Sequence, residues 1–347
     1  MKSLLICGAN GFIGRNCLEF FAKHRSEQYN ITATYFKEPP SLSEAEAELA
    51  GLDIDHTFPN VEYVKVDLRE EEQVKNLLKG KDIIIQAAAT TTGSKDVVER
   101  PFLHVTDNAV MNSWIFREAF LNKASHVIFP SCTVMYQPKE QPQKETDWSA
   151  SDEIYHSYFG VGNTKVYLEN MCDFYSRLTW HRSDARMCDG NGNQGGTKFT
   201  AIRHSNVYGP HDKYDLDKCH MVPALVNKVS QASSTLEIWG DGSARRDILY
   251  IDDLVEMIEA CILNQKTSYE LFNCGGGKAF SVKEIANAIM KVSGKNLTLQ
   301  LDESKPNIPT VVILDSKKAE KELGWKPRTN IEEGLQKTCT WYTKNYK

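Results

Sequence analysis

Three glycines at a spacing of three, in Gly8-Ala9-Asn10-Gly11-Phe12-Ile13-Gly14, stand between a short apolar run and a helical pattern. That spacing sets backbone N–H groups at a helix N-terminus, where the helix dipole favours a pyrophosphate. Glycine is needed because a side chain would block the approach of backbone to phosphate. A tight structural turn is the plainer alternative, but a strand before and a helix after favour a dinucleotide. At the end of the second strand an acidic residue usually meets the ribose hydroxyls of NAD. Tyr35, Phe36 and Lys37 occupy that place. A cation without a carboxylate suits the 2′-phosphate of NADP, with NAD the other possibility, and a solvated loop charge is the plain reading of Lys37. Asp67 follows the third strand and is placed to meet the adenine edge. It also fits a helix N-cap before Arg69-Glu70-Glu71, and the two roles are compatible.

The elements that must position this turn alternate. Ser3–Cys7, Ile31–Tyr35, Val61–Val66, Asp82–Ala88 and His126–Phe129 are β-rich apolar runs. Helical patterns over Phe12–Lys23, Glu71–Leu78 and His104–Leu121 lie between them, and a helix over Lys165–Leu178 precedes a strand at Phe199–Arg203. Such alternation predicts an α/β fold, a doubly wound parallel sheet covered on both faces. Two stretches break the rhythm. Lys37–Asn60 is polar and reads as a surface loop with a short helix, and the Gly- and Asn-rich Trp180–Lys198 as a mobile insertion. Beyond Tyr208 short amphipathic helices, at Met221–Ser230, Asp252–Leu263 and Ser281–Val292, alternate with strand fragments. The expected division is a dinucleotide-binding domain over 1–205, with the insertion at about 180–198. A smaller lobe over 206–347 follows, and some of its segments return to the sheet.

At 347 residues with 25% charged residues the chain is long enough for a sizeable core and has an ordinary globular composition. A net charge of -5 offers no basic stripe for nucleic acid. No apolar run approaches the length of a membrane span. The apolar start Met1–Cys7 is cut by Gly8 with no small-residue cleavage site after it, so it reads as a first strand rather than a signal peptide. Nine scattered cysteines without a CxxC pair suit reduced core thiols in a cytoplasmic protein, with no metal site.

The glycine turn, Asp67-Leu68, Ala87-Ala88-Ala89 and Asn108 resemble the extended short-chain dehydrogenase/reductases, the NAD-dependent epimerases and dehydratases. Within them, Asn206-Val207-Tyr208-Gly209-Pro210-His211-Asp212 and Cys219-His220-Met221-Val222-Pro223-Ala224-Leu225 resemble the GDP-L-fucose synthase group. So do Trp239-Gly240-Asp241-Gly242 with Arg246-Asp247, Tyr250-Ile251-Asp252-Asp253-Leu254, Ser304-Lys305-Pro306 and Leu323-Gly324-Trp325. The resemblance implies a Rossmann domain with a small α/β lobe and a nucleotide-diphosphate sugar, GDP-linked, held between them. It implies dinucleotide contacts at Gly8, Asn10, Gly11, Phe12, Ile13, Gly14, Lys37, Asp67, Leu68, Ala87, Ala88, Ala89, Asn108 and Lys165. Substrate contacts would come from Asn206, His220, Val222, Lys228, Trp239 and Arg246, the two cations holding the diphosphate with Arg245 beside them. Lys228 also reads as a surface charge. The resemblance further implies a homodimer through the helices near His104–Leu121 and Lys165–Leu178.

Members of this family use a Tyr-x-x-x-Lys helix with a nearby Ser or Thr, the phenol exchanging a proton with the sugar oxygen beside the nicotinamide. Lys165 matches the lysine, but the tyrosine position holds Val161, which cannot transfer a proton. The hydroxyl position holds Cys132, between Ser131 and Thr133. In the GDP-L-fucose synthase group a cysteine two residues further on is the epimerisation base, and Val134 stands there; the partner acid histidine matches His220. Cys132, Thr133, His220 and a remodelled Tyr158 or Tyr155 are therefore the proton-handling candidates, with a water held by Lys165 as another. Each has a plainer reading: a core thiol, a packed imidazole, packing aromatics. Two functions stay open. One is a reductase, epimerase or dehydratase acting on a nucleotide sugar. The other is a dinucleotide-binding relative that has lost turnover and serves regulation or scaffolding.

Overall fold

The computed structural model describes residues 1–38, 58–91, 100–181, 184–187, 196–216, 218–304 and 311–346. Its centre is a seven-stranded sheet built from β1 (Lys2–Cys7), β2 (Tyr29–Tyr35), β3 (Val61–Lys65), β4 (Ile83–Gln86), β5 (His126–Pro130), β8 (Lys198–His204) and β12 (Tyr269–Cys274). The order is β12-β8-β5-β4-β1-β2-β3, and every pairing is parallel. Strand β12 comes from the C-terminal half of the chain.

The period of two along β1 explains why both faces are covered. Leu4 and Ile6 enter the core shared with α1 (Phe12–His24) and α6 (Ile251–Asn264). Leu5 and Cys7 point the other way, into the core with α2 (Glu71–Leu77), α3 (Thr106–Leu121) and α4 (Phe159–Ser176). Strand order reverses at β1, flanked by β4 and β2, and the glycine turn leaves the carboxyl end of β1 at that switch point.

Helix α4 begins at Phe159, six residues before the start expected from sequence. Gly160 and Gly162 lie inside the helix, where close neighbours leave little room for a side chain. A Cβ at Gly162 would stand 2.8 Å from Ile154 Cγ2, and one at Gly160 3.1 Å from Val105 Cγ2. Val161 thus lies in the first turn, one turn before Lys165. In the insertion after α4, β6 (Leu178–His181) and β7 (Asp184–Met187) form an antiparallel hairpin. Most of Lys37–Asn60, expected as a surface loop with a short helix, falls outside the described residues (39–57), as do 188–195.

The smaller lobe contains α5 (Met221–Gln231), α7 (Val282–Ser293), the three-stranded set β9 (Asn206–Tyr208), β11 (Arg245–Tyr250) and β13 (Ala279–Ser281), and the pair β10 (Thr235–Trp239) with β14 (Thr298–Asp302). Helix α8 (Lys317–Leu323) follows, and α9 (Ile331–Asn345) closes the described chain, packing against α7 and α5. Among the described residues no helix is long and apolar enough to cross a membrane.

Candidate functional site

The glycine turn is set by backbone geometry. Gly8 has φ 71°, and a Cβ there would stand 2.6 Å from Ala88 Cα. A Cβ at Gly14 would meet the Gly8 carbonyl oxygen at 2.2 Å. Gly11 differs: its Cβ would meet only that same oxygen, at 3.3 Å. It caps α1 with extended backbone and no side-chain bond, and the first turn carries no acid, so the N–H groups there suit an anion. Two glycines are thus required by the protein and the third faces outward. Phe12 and Ile13 turn their side chains to the core, leaving backbone N–H groups for a ligand. Asn10 donates its amide to the Glu38 carbonyl at 3.1 Å. Thr34, which sequence reading did not single out, props the turn: its hydroxyl accepts the Gly8 N–H at 3.0 Å and its carbonyl the Ala9 N–H at 2.8 Å.

At the corner beyond β2, Lys37 is exposed and Phe36 half exposed. Asp67 is not the N-cap of α2; Glu70 is. The Asp67 carboxylate instead accepts Arg69 Nε at 2.9 Å and Nη2 at 2.7 Å, and bonding to Arg69 holds it below the usual carboxylate range. The Leu68 side chain is buried in the core on the α2 side. Beyond β4, Ala87 and Ala88 are half-buried and Ala89 is exposed. Asn108 spends its amide on this segment, accepting the Thr90 N–H at 2.9 Å and donating to the carbonyls of Thr90 at 3.0 Å and His104 at 2.9 Å. Its role here is to pair with backbone and fix the wall of the cleft.

Of the proton-handling candidates, Cys132 follows the carboxyl end of β5, within electrostatic reach of Lys165 and Tyr158. Lys165 donates to the Pro130 carbonyl at 3.1 Å and lies 4.7 Å from the Phe129 ring centroid. Burial pushes its ammonium down, and Cys132 lies within electrostatic reach. Burial pushes the Cys132 thiol up against the opposing pull of Lys165, so it stands as a neutral thiol, with the Val134 N–H donating to its sulfur. Tyr158, in a 3₁₀ turn just before α4, faces the same place: its neighbours are Arg246 and Cys132, and burial keeps its phenol protonated. Thr133 is half-buried and its carbonyl accepts the Tyr136 N–H at 3.0 Å. Tyr155 packs against Tyr158 and His156.

Beneath this loop lies a polar layer that sequence reading missed. Ser131 donates to Glu169 at 2.6 Å, and Arg203 binds Glu169 through Nη2 at 2.6 Å and Nε at 3.1 Å. Arg203 also donates to the Tyr136 hydroxyl at 3.0 Å, which donates to Asn273 at 2.8 Å. All five groups are buried, so each polar atom needs such a partner. The one signal in the sequence was Glu169 standing four residues after Lys165, on the same helix face.

His220 caps α5 with an exposed side chain, yet the surrounding protein desolvates its imidazole enough to push it down. Lys213 and His104 add to that, and His204, lowered to about 4 by burial, lies within reach of both Lys165 and His220. Lys213 crosses the cleft to the Thr91 carbonyl at 2.8 Å. The same segment is tied to α1, where Asn16 donates to the Pro210 carbonyl at 3.0 Å and His211 pairs with Glu19 at 2.7 Å.

The substrate-contact candidates divide. Arg246 lies within electrostatic reach of Tyr158, and Arg245 pairs with Glu140 at 2.5 Å. Asn206 donates to the Asp247 carbonyl at 2.9 Å from the adjacent strand. Lys228, by contrast, lies 5.3 Å from the Trp239 ring centroid and 3.4 Å from Glu237. Val222 is buried in the core, so only its backbone N–H in the first turn of α5 is available to a ligand. Among the described residues no His, Cys, Asp and Glu cluster could hold a metal.

The model of the NAD dependent epimerase/dehydratase family matches residues 4–275. The GDP-L-colitose synthase of Yersinia pseudotuberculosis is 25% identical over 98% of this chain and 97% of its own length. The GDP-L-fucose synthase of Sinorhizobium fredii is 29% identical over 81% and 86%. Among solved structures, UDP-glucose 4-epimerase from Bifidobacterium longum, in complex with NAD+ and UDP, superposes with a TM-score of 0.76 at 21% identity, covering 99% of both chains.

Proposed function

The chain belongs to the NAD dependent epimerase/dehydratase family, and we propose that it is an enzyme reducing or epimerising a GDP-linked keto sugar with NADP, Tyr158 taking the proton role left open by Val161. The observation that supports this reading is that the Tyr158 phenol, kept protonated by burial, lies within electrostatic reach of Arg246 and Cys132, and Cys132 within that of Lys165. The names of the Yersinia and Sinorhizobium relatives support a GDP-linked substrate. The absence of a carboxylate at Tyr35-Phe36-Lys37 supports NADP over NAD.

When bound, the dinucleotide supplies or accepts hydride. The chain's residues do the rest. The α1 N-terminus and the outward face of Gly11 receive the pyrophosphate. Arg246 stands beside the phenol, where its charge stabilises a phenolate as the proton passes to the sugar oxygen. Arg246 thereby serves the phenol as the usual lysine does, while Cys132 lies within reach of both Lys165 and Tyr158. As a neutral thiol, Cys132 fills space and excludes water. His220 is the candidate for a second proton, with its pKa depressed so that it is neutral at physiological pH. A homodimer through α3 and α4 also belongs to this proposal; Leu121, Phe159, Tyr167 and Phe174 are exposed apolar side chains on those helices.

The test is direct. Purified protein is denatured and its released small molecules identified, then a panel of GDP-, dTDP- and UDP-linked 4-keto sugars is assayed for NADPH consumption. Consumption with a GDP-linked member is the expected result. Dinucleotide binding with no turnover on any member would favour the regulatory reading instead.

A further inference from the structure

We propose that Arg69 is the residue that reads the adenosine 2′-phosphate of the dinucleotide, with Lys37 an auxiliary. Its guanidinium carbon lies 5.2 Å from the centroid of Phe36, the residue that follows β2 where a ribose-reading acid otherwise stands. Arg69 therefore occupies that corner although it comes from the loop after β3. Its orientation is set from two sides: Nε and Nη2 form a fork on Asp67 at 2.9 and 2.7 Å, and Nη1 reaches Asp107 at the start of α3 at 3.2 Å. An arginine has five N–H donors, so three are engaged and two are left to point away from the carboxylates. A planar cation held on an aromatic ring with spare donors is a receptor for a phosphate dianion. The pairing also offsets the charge of Asp67, which would otherwise repel that phosphate. Lys37 is exposed on the neighbouring loop, and its flexible point charge is less pre-organised.

This inference rests on the reading that the glycine turn takes a dinucleotide. The full-length protein is titrated with NADP, NAD, 2′,5′-ADP and 5′-ADP by calorimetry. Tighter binding of NADP and 2′,5′-ADP than of their partners is expected. Arg69→Gln lowers affinity for those two by about tenfold or more, the worth of a charge-assisted fork, while NAD and 5′-ADP change by less than about threefold. Lys37→Ala gives a smaller loss of the same kind. Arg69→Lys, which keeps the charge and loses the fork, falls between and serves if the glutamine variant does not fold. Equal losses for both ligand pairs, no loss, a larger effect at Lys37, or tighter NAD binding in the unaltered protein overturns the assignment. Failure of every dinucleotide to bind overturns the cofactor reading itself.

Discussion

The glycine turn and the proposed proton-handling site lie at the same end of the sheet, yet they are assembled differently. The turn is seven consecutive residues, braced by one neighbouring strand through Thr34 and one wall residue, Ala88. The other site draws Cys132 from the end of β5, Tyr158 and Lys165 from either side of the α4 N-terminus, His220 from a loop of the smaller lobe and Arg246 from β11. A contiguous motif carries its own geometry, because spacing along the chain is distance in space. A dispersed site has no such link. Its geometry is held by a buried polar layer, Glu169, Arg203, Tyr136 and Asn273, that contributes no chemistry of its own.

Six substitutions sharpen or break that contrast. The largest effect is expected within the turn. Gly8→Val places a β-branched residue at φ 71° against Ala88 and costs on the order of 3 kcal/mol or more. It should yield little folded protein, whereas Gly11→Val should fold normally and lose dinucleotide binding. Soluble yield and near-UV circular dichroism, with a dinucleotide titration, separate the two. Equal behaviour would mean that the turn is not divided into an inward and an outward glycine.

In the dispersed site, Tyr158→Phe should lower turnover by about a hundred- to ten-thousand-fold, the usual worth of general acid catalysis, with dinucleotide affinity unchanged. Cys132→Ala should cost less than about tenfold, since a neutral thiol is space rather than proton. The opposite ranking in single-turnover assays would return the proton to the thiol. A smaller effect is expected at Val161. A tyrosine in the first turn of α4 adds a ring to a half-buried place and destabilises by about 1 to 3 kcal/mol. Turnover should fall with it, and a rise would show that Tyr158 is not the donor.

The last effect, on stability rather than turnover, concerns the segment that ties the smaller lobe to α1. Asp212 is buried, accepts the Lys213 N–H at 2.7 Å, and its other oxygen has no partner among the described residues. Burial raises its carboxyl from 3.8 to about 7. A raised acid keeps its proton in the folded state while the unfolded chain releases it. Stability is therefore full below about pH 4 and is lost progressively as pH rises to 7. Asp212→Asn should remove that slope, so its denaturation midpoint relative to the unaltered protein should be higher at pH 8 than at pH 4. A variant difference constant across that range would show that Asp212 is ionised in the fold.

What the amino-acid order determined alone was whatever repeats or is contiguous. The short apolar runs, their alternation with helical patterns and the glycine turn point to a doubly wound sheet and a turn suited to a dinucleotide, since local backbone geometry and burial are enough to read them. Gly160 and Gly162 show where that reading stops. The expected helix began at Lys165, and only contact with Val105 and Ile154 shows why glycines stand in the turn before it. Arg69 was likewise an ordinary charge after Asp67 until the fold set it over Phe36. Tyr158 was one aromatic among several before Arg246 and Cys132 were brought to it. Such roles depend on which distant groups share one small volume of low dielectric, and chain order does not encode that distance locally. Tertiary packing decided it.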